Sequence, residues 1–348
     1  MSEEIQENVV YLKERWEKLK RENSKLRIRD AAEQLGVSEV ELLATDCGNS
    51  VTRLTGDWKK LIKRMPELGR VMVLTRNEYA VHEKTGRFEQ VEFFGEVMGQ
   101  VVGTDVDLRI FMNHWHSAFA KSESTDQGTK RSMQFFNQDG SAVFKIFLKE
   151  DSNWAAFETI VEEYKSDDQS AEQLVKPLPV GEQELADSEI DVEGLRKGWR
   201  ELKDTHGFFG LTKKYKVGRV QALRLADDEF VKKVEGDSLR KVLTGASELK
   251  VEIMIFVGNP GNIQIHTGAV DKVCEFNEWY NVLDSDFNLH VRENGIANAF
   301  VVKKPTKDGI VTSLELYDKN DENILLMFGK RKPGQLENEQ WRNIVNTI

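Results

Sequence analysis

Apolar positions recur at helical spacing over Glu3–Asn23, then over Ile28–Leu35 and Glu39–Ala44. Gly36 separates the last two segments, and Ser38 is placed to cap the second of them. A run of short β-rich segments follows: Val71–Leu74, Phe88–Val97, Asp107–Phe111, Trp115–Ala120, Arg131–Asn137 and Ala142–Phe147. Turn signals such as Gln138-Asp139-Gly140 divide them. A helix with Trp154, Phe157, Ile160 and Val161 on one face closes the series. Helices at the ends and strands in the middle predict an α+β architecture with largely antiparallel sheets.

The pattern then repeats in a register of about 180 residues. Trp16-Glu17-Lys18-Leu19-Lys20 matches Trp199-Arg200-Glu201-Leu202-Lys203, and Val71-Met72-Val73-Leu74 matches Ile253-Met254-Ile255-Phe256. Asp107-Leu108-Arg109 aligns with Asp286-Phe287-Asn288, and Ala118-Phe119 with Ala299-Phe300. Ser132 to Phe136 aligns with Ser313 to Tyr317, and Trp154 and Trp341 each open a closing helix. The chain therefore reads as an internal duplication: similar halves at 1–165 and 195–348, each with leading helices, a sheet and a closing helix. Residues 166–194, with Pro177, Pro179 and many acidic and polar residues, read as a linker.

Composition narrows the class. The 348 residues are 39% hydrophobic and 31% charged, enough for packed cores in a globular protein. No apolar run approaches the ~20 residues of a membrane span, and Met1–Glu22 is charged throughout, unlike a signal peptide. Only Cys47 and Cys274 are present, which excludes a disulfide scaffold and a cysteine zinc site. These features point to the cytoplasm. The net charge of −10 argues against nonspecific nucleic-acid binding.

Several motifs invite chemistry. Ile28–Leu43 has the outline of a helix-turn-helix, but its second helix carries Glu39 and Glu41 and no cation, so a packed helix pair is expected. His114 and His116, two apart on an expected strand, share a face, yet a tetrahedral zinc site needs further ligands and neither cysteine lies near in sequence. His82 stands alone within Asn77–Glu83. No phosphate-binding glycine loop or serine-hydrolase elbow occurs.

The segment Asp204-Thr205-His206-Gly207-Phe208-Phe209-Gly210 says more. Asp204 or Thr205 is placed to cap a helix beginning beside His206, where the positive dipole end disfavours imidazolium. Neutral imidazole is the form that ligates iron or zinc. Gly207 and Gly210 would admit a large flat ligand close to the backbone, with Phe208 and Phe209 as apolar contacts. The duplication adds that Asn23 stands where the second half has His206, and Asn288 where the first has Arg109. Two diverged copies sharing one ligand would show that asymmetry; so would simple drift.

At these residues the chain resembles the bacterial haem-utilisation proteins of the HemS/ChuS type, the hemin-degrading factors. The likeness runs from about Trp16 to Trp341. It rests on Arg76-Asn77-Glu78-Tyr79-Ala80-Val81-His82-Glu83, Asp107-Leu108-Arg109, Thr205-His206 to Phe209, Lys304-Pro305-Thr306 and Val311 to Leu316. The resemblance implies a cytoplasmic protein holding one haem between the two halves. It makes His206 the proximal iron ligand and places Arg109 on the opposite face. An arginine has no lone pair for iron, so Arg109 would act catalytically by hydrogen-bonding whatever occupies the sixth position.

Arg219, Lys304 and Arg331 would then receive the propionates. One departure stands out: where the family commonly reads Gln-Leu-Tyr-Gly-Gln-Arg, this chain has Leu326-Met327-Phe328-Gly329-Lys330-Arg331. Leu326 and Phe328 cannot donate the hydrogen bonds of Gln and Tyr. The resemblance implies reductant-dependent haem degradation that releases iron for acquisition. Its alternative is a non-catalytic haem carrier delivering to a separate oxygenase. Partners implied are a haem importer, a reductase or that oxygenase, with no nucleic acid.

Overall fold

The computed structural model describes residues 3–126, 128–179, 184–331 and 334–348. The first half runs α1 (Glu3–Glu22), α2 (Ile28–Leu35), α3 (Glu39–Ala44), β1 (Val51–Leu54), α4 (Trp58–Lys63), β2 (Gly69–Arg76), β3 (Ala80–Arg87), β4 (Gln90–Phe94), β5 (Met98–Val102), β6 (Asp107–Phe111), β7 (Ser117–Thr125), β8 (Gly128–Phe136), β9 (Ala142–Ser152) and α5 (Trp154–Tyr164). The second runs α6 (Val192–Arg200), α7 (Gly207–Tyr215), α8 (Arg219–Leu225), β10 (Val231–Val234), α9 (Ser238–Glu248), β11 (Ile253–Asn259), β12 (Asn262–Gly268), β13 (Val273–Phe276), β14 (Trp279–Leu283), β15 (Phe287–Arg292), β16 (Asn298–Thr306), β17 (Gly309–Tyr317), β18 (Asn323–Gly329) and α10 (Glu339–Asn346).

Two compact units emerge. The first comprises 1–75, 84–179 and 259–263; the second comprises 76–83, 180–258 and 264–348. In the first, antiparallel strands follow the order β1-β7-β8-β9-β2, and β4-β5-β6 form a meander. The second repeats both arrangements as β10-β16-β17-β18-β11 and β13-β14-β15. The α+β duplication read from the sequence is thus present at the level of strand order.

Local sequence explains the helix ends. Gly36 closes α2 in the left-handed conformation, φ 71°, which suits a residue without Cβ. Ser38 caps α3 in a capping box: its Oγ accepts from Glu41 N, and the Glu41 carboxylate accepts from Ser38 N. Asp57, Asn153 and Asp191 likewise accept the first free N–H groups of α4, α5 and α6.

The core of the first unit gathers Val71, Val73, Leu108, Ile110, Trp115, Phe135, Phe144 and Ile160, all at or below 5% exposure. In the second unit, one core lies under α9 and α10 around Val242, Ile255, Leu314 and Trp341. Another lies where α6, α7 and α8 cover β16 and β17, with Trp199, Phe208, Val220, Val302 and Tyr317. The segment read as a linker, residues 166–194, includes 180–183, which lie outside the described residues. Its early part is tied to the first unit through Arg53, whose Nη2 donates to the Ser170 and Glu172 carbonyls, and α6 already begins at Val192.

Candidate functional site

His206 precedes α7 and exposes 94% of its side chain. Its ring Nδ1 lies 2.6 Å from Asp204 Oδ1, and its backbone N–H donates to the same oxygen at 2.8 Å. The backbone bond foremost, then the ring bond, hold the Asp204 carboxyl below its ordinary range. With the Nδ1 proton on the carboxylate side, Nε2 carries the lone pair. A carboxylate behind an imidazole is the arrangement that orients a metal-binding histidine. The expected capping role of Asp204 is therefore corrected: an aspartate readily accepts from the N–H two residues on, and it orients the His206 ring instead of capping α7. His206 itself occupies the N-cap position and makes no side-chain capping bond.

The two phenylalanines separate. Phe209 is 67% exposed, with the Lys213 ammonium 4.7 Å from its ring centre. Phe208 is buried against Trp199, ring centres 4.8 Å apart. Its ring faces two cations, Arg219 at 5.1 Å and Lys304 at 4.8 Å.

Both cations converge on Glu315, which is 0% exposed. Arg219 donates to its Oε2 through Nε (3.0 Å) and Nη2 (2.8 Å), and Lys304 Nζ donates to Oε1 at 2.6 Å. Ser313 Oγ and Tyr317 OH also donate to it. Burial alone would raise the Glu315 carboxyl, but the charges of Arg219 and Lys304 outweigh that and hold it well below the usual range. Burial, with Glu315 beside it, pushes the Tyr317 hydroxyl up, so it stays neutral. Burial pushes the Lys304 ammonium down, and Glu315 opposes that shift; two basic side chains thus meet one carboxylate. Lys304, expected to receive a propionate, is buried. At 3% exposure it lies beneath α7, because β16 turns it toward the same covered face as Glu315. Arg219 keeps 36% of its side chain exposed.

Arg331, half-exposed just past β18, adds a positive charge that acts on both the Asp204 and Glu337 carboxyls. Beside Glu315, cross-strand register pairs Leu326 with Glu315 and Phe256, and Phe328 with Ser313 and Met254. Paired residues project from one face of a sheet, so Met254, Phe256, Leu326 and Phe328 form a half-buried apolar strip adjoining the cationic cluster. Sequence reasoning quoted Met254 and Phe256 only as markers of the repeat; their signal was the alternation with buried Ile253, Ile255 and Val257.

Arg109 belongs to the first unit. It lies on β6 opposite Gln100, on the face of the β4-β5-β6 meander that also carries the exposed Phe94, Met98 and Val102. Its Nη1 donates to Asp107 and, at 3.0 Å, to the Leu108 carbonyl.

The other candidates have local roles. His82 is fully buried, with Nδ1 2.7 Å from Gln264 and its ring 5.0 Å from Phe287. His114 ends a 3-10 turn and His116 follows Trp115, so they do not share the expected strand face. Among the described residues no cluster of three metal-ligating side chains occurs. The α2–α3 pair is packed, with Ala31 and Ala32 buried and Glu39 paired to Lys145. Among the described residues, no helix is long and apolar enough to cross a membrane.

Comparison with known proteins sets this geometry in context. Residues 36–164 and 216–348 each match the family model described as the haemin-degrading HemS.ChuX domain. The chain is 38% identical over 317 residues to the hemin transport protein HmuS of Yersinia pestis, covering 91% of each. Its structure resembles holo-PhuS, a heme-binding protein from Pseudomonas aeruginosa, with TM-score 0.95, 44% identity and 97% and 98% of the two chains covered. It also resembles ChuS, described as an E. coli heme oxygenase, with TM-score 0.86, 34% identity and coverage of 97% and 98%.

Proposed function

The chain belongs to the haemin-degrading HemS/ChuX family, and from that premise we propose that it binds one haem per chain in the cytoplasm and degrades it with a reductant, releasing iron. The residues fit such a ligand. Exposed His206, backed by Asp204, offers Nε2 to iron. The strip of Met254, Phe256, Leu326 and Phe328 offers apolar surface to a porphyrin edge. The surplus positive charge around Glu315, with Arg219 exposed and Lys304 behind it, suits a propionate; Arg331 supplies a second cation.

Haem is the substrate here: its iron supplies the redox chemistry, dioxygen is the oxidant that opens the ring, and a reductant supplies electrons. The protein's part would be to hold the iron through His206 and to offer the Arg109 guanidinium, a permanent charge with five donors, to what the iron binds. The observation that carries this reading is the carboxylate-oriented, solvent-open imidazole of His206.

That openness also favours a second reading, in which the haem is passed intact from an importer to a separate oxygenase. Two curated relatives named hemin transport proteins accord with it. One experiment separates the readings. The haem-loaded protein is reduced under air, and its Soret band is followed with and without catalase. Loss of the band under both conditions supports degradation, whereas loss only without catalase reports peroxide-driven side chemistry. A band that persists until an oxygenase is added supports the carrier.

A further inference from the structure

Arg109 is held before any ligand arrives. Asp107 and Arg109 lie two apart on β6, so their side chains leave the same face of the strand. The Asp107 carboxylate and the Leu108 carbonyl both accept from a single nitrogen, Nη1. A guanidinium has five donors, so Nε and Nη2 remain available to another acceptor. Asp107 exposes only 20% of its side chain and Arg109 37%, so the carboxylate forms the inner half of the pair. Along this face Arg109 faces Gln100, whose amide donates to Glu92 Oε2 at 2.9 Å. The same face carries the exposed Phe94, Met98 and Val102. The Asp107 carboxylate is itself the more buried partner, so its charge acts on Arg109 with less screening than it would in bulk water.

We propose that Asp107 is a positioning residue for the sixth-ligand side of the haem: it fixes the Arg109 fork and, by its own charge, moderates the positive field that the fork presents. This rests on the distal role of Arg109 given above. Two effects are combined in one carboxylate, and two substitutions pull them apart. Asp107→Asn keeps an oxygen that can accept from Nη1 but removes the negative charge. Asp107→Ala removes both, leaving the long arginine side chain free to leave its place.

Fluoride binding to the ferric haem complex reads both effects. Fluoride is an anion that accepts hydrogen bonds, and its affinity is measured spectroscopically at one pH and ionic strength without turnover. Asp107→Asn is expected to tighten fluoride binding by about three- to tenfold, since an unopposed cation favours an anion. Asp107→Ala is expected to weaken it, toward the value of Arg109→Ala. A merely structural aspartate would shift both variants in the same direction. If both bind fluoride like the parent while Arg109→Ala binds it more weakly, the role of Asp107 is overturned and that of Arg109 stands. If Arg109→Ala also matches the parent, the distal assignment itself fails.

Discussion

Arg219 opens α8 and places two guanidinium nitrogens on the buried Glu315, at 3.0 and 2.8 Å. In the first unit the homologous helix opens with Glu39, which pairs instead with the buried Lys145 of β9. Register places Gln134 opposite Lys145, as Glu315 stands opposite Leu326. A helix-to-sheet ion pair is therefore kept with its charges inverted and its sheet partner moved to the neighbouring strand. In the second unit two basic side chains meet one carboxylate, and in the first Lys145 interrupts the strip that Leu326 completes.

This inversion predicts the stoichiometry. The first unit has Lys145 where the second continues its apolar strip with Leu326, and Asn23 where the second has His206. Titration of the protein with haem, followed at the Soret band, should saturate at one equivalent per chain. Two equivalent sites per chain would contradict it.

The Glu315 cluster also predicts a stability pattern. Glu315→Ala leaves two cations facing each other without their anion, and should cost about 3–5 kcal/mol in urea unfolding of the haem-free protein. Lys304→Met leaves the Arg219–Glu315 pair intact and should cost less, yet should weaken haem binding by removing the surplus charge. The Glu315 carboxyl lies below its ordinary range in the folded protein. Its contribution is therefore present at neutral pH and lost as the pH falls through and below the ordinary carboxylate range. Glu315→Gln should flatten that part of the acid limb of the stability curve. An unchanged acid limb would show that another group governs it.

How much of this was legible in the sequence depends on which interactions were local. The boundaries of α2 and α3 and the span of β6 follow from caps and alternation, and match the sequence reading residue for residue. The short β1, α4 and β5 were missed: Val51–Leu54 is too brief for a clear period, and Gly99 interrupts β5. The swap of 76–83 and 259–263 between units is a long-range feature that no local pattern encodes. At the site, His206 stood out because one half lacks it. The burial of Lys304 did not, because a lysine on a strand reads as exposed until its partner Glu315, eleven residues away, is seen on the same face.

Arg109 predicts a spectroscopic shift of definite sign. Nearby positive charge favours hydroxide over water, so Arg109→Ala should raise the pH of the acid–alkaline transition of the ferric haem complex. Lys304→Met should leave that transition nearly where it was. A pH titration of both ferric spectra checks the pair, and the reverse pattern would exchange the two assignments.

Asp204 predicts a graded effect on affinity. Its carboxylate fixes the His206 ring through Nδ1. Asp204→Ala should keep the ligand but weaken haem binding roughly 10- to 100-fold, as outer-shell partners of metal-binding histidines do. A competition titration against a haem-binding reference protein measures this, and an affinity equal to the parent would remove Asp204 from the account.

The central claim is that His206 is the axial ligand, and its replacement tests that most directly. In His206→Gly the Soret band of the haem complex should shift and broaden, and added imidazole should restore it; His82→Ala, His114→Ala and His116→Ala should retain the parent spectrum. If His206→Gly keeps the parent's spectrum and affinity without imidazole, the iron is held by another residue and the account is wrong.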